Sequence, residues 1–150
     1  RIDVTGAPLA DRVDRALFIP AEHGLSFPAG IAASPDGGFY VSSQATGVIN
    51  EYDSEGAYVR TILEPPEGDQ LDADGFTHGS PHGLGIGPDG TLYYADIGIV
   101  RSEHQELLEI GPGEGTGSVR RITFEHGEPS APEVMADDLD YPDGIGVLVP

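Results

Sequence analysis

Three short segments place different side chains at one repeated position. Phe27-Pro28-Ala29-Gly30-Ile31, Ser80-Pro81-His82-Gly83-Leu84 and Tyr141-Pro142-Asp143-Gly144-Ile145 share a Pro-x-Gly core, and the middle residue reads Ala29, His82 and Asp143 in turn. A neutral imidazole offers one lone pair to a proton or a metal, and a carboxylate offers two oxygens. Converging on one point, the pair would suit Zn or Fe, or Ca if more oxygens joined it. His82 is therefore a candidate metal ligand or general base, and Asp143 a candidate metal ligand. The competing assignment has both side chains capping backbone groups at strand ends.

The other titratable residues rank lower. His78 lies four residues before His82 and His23 just before the first Pro-x-Gly, so either could reach the same place, whereas His104 and His126 read as surface residues. Asp36 and Asp89 belong to turns, and Asp96 follows a Tyr-Tyr strand where it would tie loops together. Asp72-Ala73-Asp74-Gly75 resembles the start of a calcium loop but has no Glu at the closing position. The glycine-rich run at 111–117 lacks a strand before it and a helix after it, so it is no phosphate cradle.

The elements that hold these residues follow from their spacing. Equivalent glycines (Gly30, Gly83 and Gly144) are separated by 53 and 61 residues, a period that indicates propeller blades. After each of the first two Pro-x-Gly strands comes Pro-Asp-Gly, which suits a tight hairpin. Alternating stretches then supply three more strands per unit: Phe39–Ser42, Val48–Asp53 and Tyr58–Leu63 in one, Leu92–Asp96, Val119–Phe124 and Glu133–Ala136 in the other. The fold class is all-β, a partial propeller of four-stranded antiparallel blades. Residues 1–26 close one blade, 27–79 and 80–140 form two more, and 141–150 begin another. Strand counting gives roughly three blades, and propellers close with about four to eight. The remaining blades are expected from another chain or from sequence beyond this one. Of the two long connectors, 64–80 and 97–117, the second carries Ser102–Glu109, predicted as a short helix with a Ser-x-x-Gln capping box.

Composition narrows the partners. The net charge is −19, with every one of the seven basic residues an arginine, and such a surface repels nucleic acid and anionic membranes. Two explanations are expected to share most of that balance, a carboxylate-rich surface that stays hydrated in high salt and a GC-rich coding sequence that favours Arg over Lys, and a cation site only a few of the charges. No cysteine is present, which removes disulfides and thiolate metal sites. No apolar run approaches the length of a membrane-spanning helix.

The Pro-x-Gly strand, the Pro-Asp-Gly turn and the Tyr-rich second strand resemble six-bladed propellers of the NHL type. Residues 80–147 look most like the senescence-marker-protein/gluconolactonase family. That resemblance implies half of a six-bladed ring and a divalent metal (Ca, Zn or Fe) in the central channel. It also implies metal-assisted hydrolysis of a lactone or similar ester, with a small-molecule substrate. Asp143 matches the family's metal-binding Asp. His82 stands where the family usually has Asn, and Ala29 replaces a further ligand. Two alternatives remain: a non-catalytic scaffold binding a protein or glycan, and a streptogramin-lyase-like enzyme using a His base.

Overall fold

The computed structural model describes residues 18–64, 76–77, 79–101, 108–110 and 114–148. Its first sheet runs β1 (Pro28–Ala33), β2 (Phe39–Ser43), β3 (Ile49–Tyr52) and β4 (Tyr58–Leu63), hydrogen-bonded in that order and antiparallel throughout. Next come β5 (Phe76–Thr77), β6 (Pro81–Ile86), β7 (Leu92–Asp96), β8 (Ile99–Arg101), β9 (Leu108–Ile110) and β10 (Gly117–Ile122). The last are β11 (Phe124–Glu125), β12 (Glu128–Pro129) and β13 (Glu133–Leu139). Strands β6, β7, β10 and β13 make a second four-stranded sheet in chain order. Each sheet meanders outward from a Pro-x-Gly strand, as the spacing predicts, and the two stand side by side as blades of a β-propeller.

The hairpins after β1 and β6 share one chemistry. Ser34-Pro35-Asp36-Gly37 and Gly87-Pro88-Asp89-Gly90 each close with the glycine N–H donating to the first residue's carbonyl, both at 3.0 Å. Proline presets the second position, and Gly37 and Gly90 take φ of +90° and +82°, which any other residue reaches only with strain. Asp89 also accepts from the Thr91 N–H and hydroxyl, which holds its carboxyl below the usual range.

The hydrophobic core lies between the blades. Strand alternation turns Ala32 and Tyr40 of the first blade towards Leu84, Leu92, Tyr94 and Ile122 of the second. Burial of these side chains drives the blades together. Polar ties cross the same boundary: Ser80 Oγ donates to the Gln44 carbonyl at 3.1 Å, and Arg60 donates to the Gly127 carbonyl at 2.7 Å. Within the first blade Arg60 also pairs with Glu51 on the neighbouring strand at 2.8 Å. The second blade carries an ion pair in the equivalent place, Arg121 with Glu133, at 2.7 Å.

Two expectations need correction. The predicted helix does not extend over Leu108 and Glu109: they are in β9, which pairs with β8 in a small sheet β5-β8-β9. Leu108-Glu109-Ile110 alternates with period two, and Ile99-Val100 supplies a β-branched edge for it to join. Residues 102–107 lie outside the described residues. The third Pro-x-Gly segment, 141–148, lies beside β6, bonded to it through Gly83 N and the Asp143 carbonyl, but has no sheet partner among the described residues. Its Val147 therefore sits at the position of an innermost strand without belonging to a sheet.

Candidate functional site

Pro-x-Gly gives each innermost strand a place where the next blade can come close. A Cβ on Gly30 would collide with the His82 carbonyl. A Cβ on Gly83 would stand 2.6 Å from the Asp143 carbonyl and 2.9 Å from Gly144 Cα. Only glycine permits either approach. Each contact is the glycine of one unit against the carbonyl of the middle residue in the next, so His82 and Asp143 are delivered to neighbouring positions by the repeat itself.

The two approaches are sealed differently. Gly83 N donates directly to the Asp143 carbonyl at 2.9 Å. Between the blades the fully buried Ser42 hydroxyl intervenes, accepting from Gly30 N at 2.8 Å and donating to the His82 carbonyl at 2.6 Å. Sheet register makes Ala95 the counterpart of Ser42, so the second blade has no hydroxyl to insert. One position further along, Ser43 and Asp96 are also counterparts. Ser43 Oγ accepts from Ser26 N at 2.8 Å, and the Asp96 carboxylate from Gly79, Ser80 and Gly98 N–H at 3.0, 3.2 and 2.9 Å. The expected loop-tying role of Asp96 is this set of three bonds.

His82 Nδ1 meets the Asp143 carboxylate and lies 3.3 Å from the Asp143 carbonyl. The imidazole is mostly covered, at 19% side-chain exposure, while the Asp143 side chain is 66% exposed. Nε2 has no hydrogen-bond partner among the described residues. A carboxylate and a carbonyl at Nδ1 both favour the tautomer with the proton there, leaving the Nε2 lone pair for chemistry. The Tyr141 ring flanks the imidazole at 6.3 Å between centroids.

The other candidates are elsewhere. His23 stacks on Tyr58 at 3.8 Å, and its carbonyl accepts from Asn50. His126 is 92% exposed in the β11–β12 turn. His78 and His104 fall outside the described residues. In the first Pro-x-Gly segment Ala29 brings only a methyl group to the equivalent position. Among the described residues no group of three His, Asp or Glu side chains is arranged to hold a metal. Ser42 and Tyr141 escaped sequence reasoning. The contrast of Tyr-Val-Ser with Tyr-Tyr-Ala in equivalent strands was the available signal for Ser42, whereas nothing in the sequence marked Tyr141.

The described part of the chain is thus a sector of a β-propeller, with a histidine–carboxylate pair where adjacent innermost segments meet. No protein-family model matches the sequence, and no curated protein matches it significantly. Among solved structures it is similar to the PQQ-bound form of an aldose sugar dehydrogenase from Streptomyces coelicolor, at 19% identity and a TM-score of 0.47. That match covers 78% of this chain and 32% of the dehydrogenase, so the chain spans about a third of that protein's length.

Proposed function

We propose that this sector belongs to a gluconolactonase-like propeller hydrolase in which His82 and Asp143 act on a lactone or similar ester. The observation that carries the reading is the contact of His82 Nδ1 with Asp143, which leaves Nε2 as the basic nitrogen. In the reaction, Nε2 takes a proton from water and the resulting hydroxide adds to the ester carbonyl carbon. The ring C–O bond then breaks as the addition intermediate collapses, and the leaving alkoxide recovers the proton from the imidazolium. Asp143 steadies the positive charge that His82 carries between the two transfers.

A divalent metal is part of the proposal. One imidazole nitrogen and one carboxylate are suitable donors for Zn or Fe, and the exposed Asp143 carboxylate has an oxygen to spare for such an ion. Two donors are a fraction of any shell, so the others would come from beyond the described residues. When bound, the ion supplies polarisation of the ester carbonyl. Asp143 would be its ligand, and His82 a ligand or the base.

The test is metal content and lactone hydrolysis in Asp143→Ala and His82→Asn variants of the protein. Asp143→Ala is expected to lose both together. His82→Asn should keep the metal and lose at least tenfold in rate. Unchanged metal content in Asp143→Ala would refute the ligand assignment. The second reading is a non-catalytic scaffold, favoured by the methyl group of Ala29 at the equivalent position of the first repeat; absence of hydrolysis in the parent protein would select it.

A further inference from the structure

The residue ahead of each Pro-x-Gly core is held in one of two ways. Tyr141 and Phe27 take the left-handed backbone, at φ +49° and +53°, whereas Ser80 does not. A bulky residue ahead of proline is seldom found there, and such a conformation persists only where its surroundings fix it.

For Tyr141 the second blade does the fixing. Just before it, the Asp140 carboxylate accepts from Gly115 N at 2.8 Å. Just after it, Pro142 lies so close to Gly117 of β10 that a Cβ on that glycine would strike the proline ring. One residue further, the Asp143 carbonyl accepts from Gly83 N of β6 at 2.9 Å. The three holding groups, Gly115, Gly117 and Gly83, all belong to the second blade.

What this conformation delivers is a ring beside His82. The two ring centroids are 6.3 Å apart, with 49° between the planes. The imidazole is thus bordered by the Asp143 carboxylate at Nδ1 and by the Tyr141 ring, which together leave its side chain only 19% exposed. The repeat supplies a contrast. By position, Ser80 stands to Ala29 as Tyr141 stands to His82. Where the neighbour is a methyl group, the residue ahead of proline is a serine with ordinary backbone, its hydroxyl bonded to the Gln44 carbonyl. Phe27 opens the first unit and has no earlier described unit to face.

We propose that Tyr141 is a positioning residue for His82: its ring, aimed by the left-handed backbone, keeps the imidazole against Asp143 with Nε2 turned to the reacting water. The role rests on the hydrolase reading above. Without the ring the imidazole turns between rotamers towards solvent, and Nε2 spends less time in line with a bound ester.

Tyr141→Gly is the deciding variant, because glycine takes φ +49° without strain and only the ring is lost. Tyr141→Asn also enters that region and repeats the test without the added chain freedom of glycine. Lactone hydrolysis by either should fall about ten- to a hundredfold in kcat, with KM within about twofold of the parent. Tyr141→Phe keeps the ring and should retain at least about half of the parent kcat. A second readout needs no turnover. Carbethoxylation of His82 by diethyl pyrocarbonate, read by peptide mass, should rise severalfold in Tyr141→Gly and stay at the parent level in Tyr141→Phe. His126, 92% exposed, is the internal reference. A kcat that falls equally in Tyr141→Phe, a change confined to KM, or parent-level kcat and labelling in both Tyr141→Gly and Tyr141→Asn would overturn the proposal. If the parent does not hydrolyse lactones, the hydrolase reading falls and labelling alone decides the contact: a rise in Tyr141→Gly upholds it, and equal labelling overturns it.

Discussion

Replacing Ser42 by alanine tests how the two blades are joined. The hydroxyl is fully buried and makes one bond to each blade, from Gly30 N at 2.8 Å and to the His82 carbonyl at 2.6 Å. Each such bond contributes about 0.5–1.5 kcal/mol, so losing both costs about 1–3 kcal/mol. The upper end applies if the blades stay where they are, because Gly30 N and the His82 carbonyl are then left without that partner. The lower end applies if they close up until Gly30 N reaches the His82 carbonyl directly, as Gly83 N reaches that of Asp143 opposite Ala95. For a chain of this size about 2 kcal/mol corresponds to a fall of roughly 4–8 °C in Tm. Urea unfolding of the parent and Ser42→Ala proteins measures the difference at constant m-value. A loss below about 0.5 kcal/mol, the range of an ordinary surface substitution, would refute the bridging role. The same substitution at Ser54, in an exposed turn, is the matched control.

Three further outcomes follow from the geometry. Gly83→Ala drives a methyl group to 2.6 Å from the Asp143 carbonyl, so it should cost about 1–3 kcal/mol and expose residues 141–148 to proteolysis. Limited proteolysis read by mass spectrometry locates the cut, and cleavage elsewhere first would contradict the docking. Asp96→Ala removes the acceptor for three backbone N–H groups in a fully buried place, and it should destabilise by more than about 3 kcal/mol, measured by loss of the cooperative thermal transition. Asp89 has a folded pKa below its unfolded value, because the Thr91 N–H and then the Thr91 hydroxyl stabilise the carboxylate. Its contribution is complete above the usual carboxylate range and disappears as pH falls through the folded value. The stability gap between the parent and Asp89→Asn should therefore be constant near neutrality and shrink in acid.

Much of the scaffold was legible because it depends on local chemistry. Pro-Asp-Gly turns and period-two alternation placed all eight blade strands within a few residues, and the repeat position brought His82 beside Asp143. What escaped was set by contacts distant in sequence. The strand at Leu108–Ile110 forms because β8 offers an edge, whereas a capping box is visible without any partner. Ile31 and Leu84 are counterparts of similar hydrophobicity, yet one is 62% exposed and the other 8%. Among the described residues a neighbouring blade covers Leu84 and none covers Ile31. The glycine of Pro-x-Gly marked the repeat, and its purpose, admitting a carbonyl from the next unit, appears only when the units are side by side.

The ion pairs of the two blades bear on folding fidelity. Glu51 faces Arg60 in one blade and Arg121 faces Glu133 in the other, so the order of charges is inverted between equivalent strands. Tandem units of similar sequence are prone to exchanging strands while they assemble. A crossed sheet made from β3 and β13 would set Glu51 opposite Glu133, and one made from β10 and β4 would set Arg121 opposite Arg60. Like charges directly opposed across strands are destabilising. The inversion therefore acts as a lock and key between third and fourth strands, penalising the two wrong pairings while both correct ones gain an attraction.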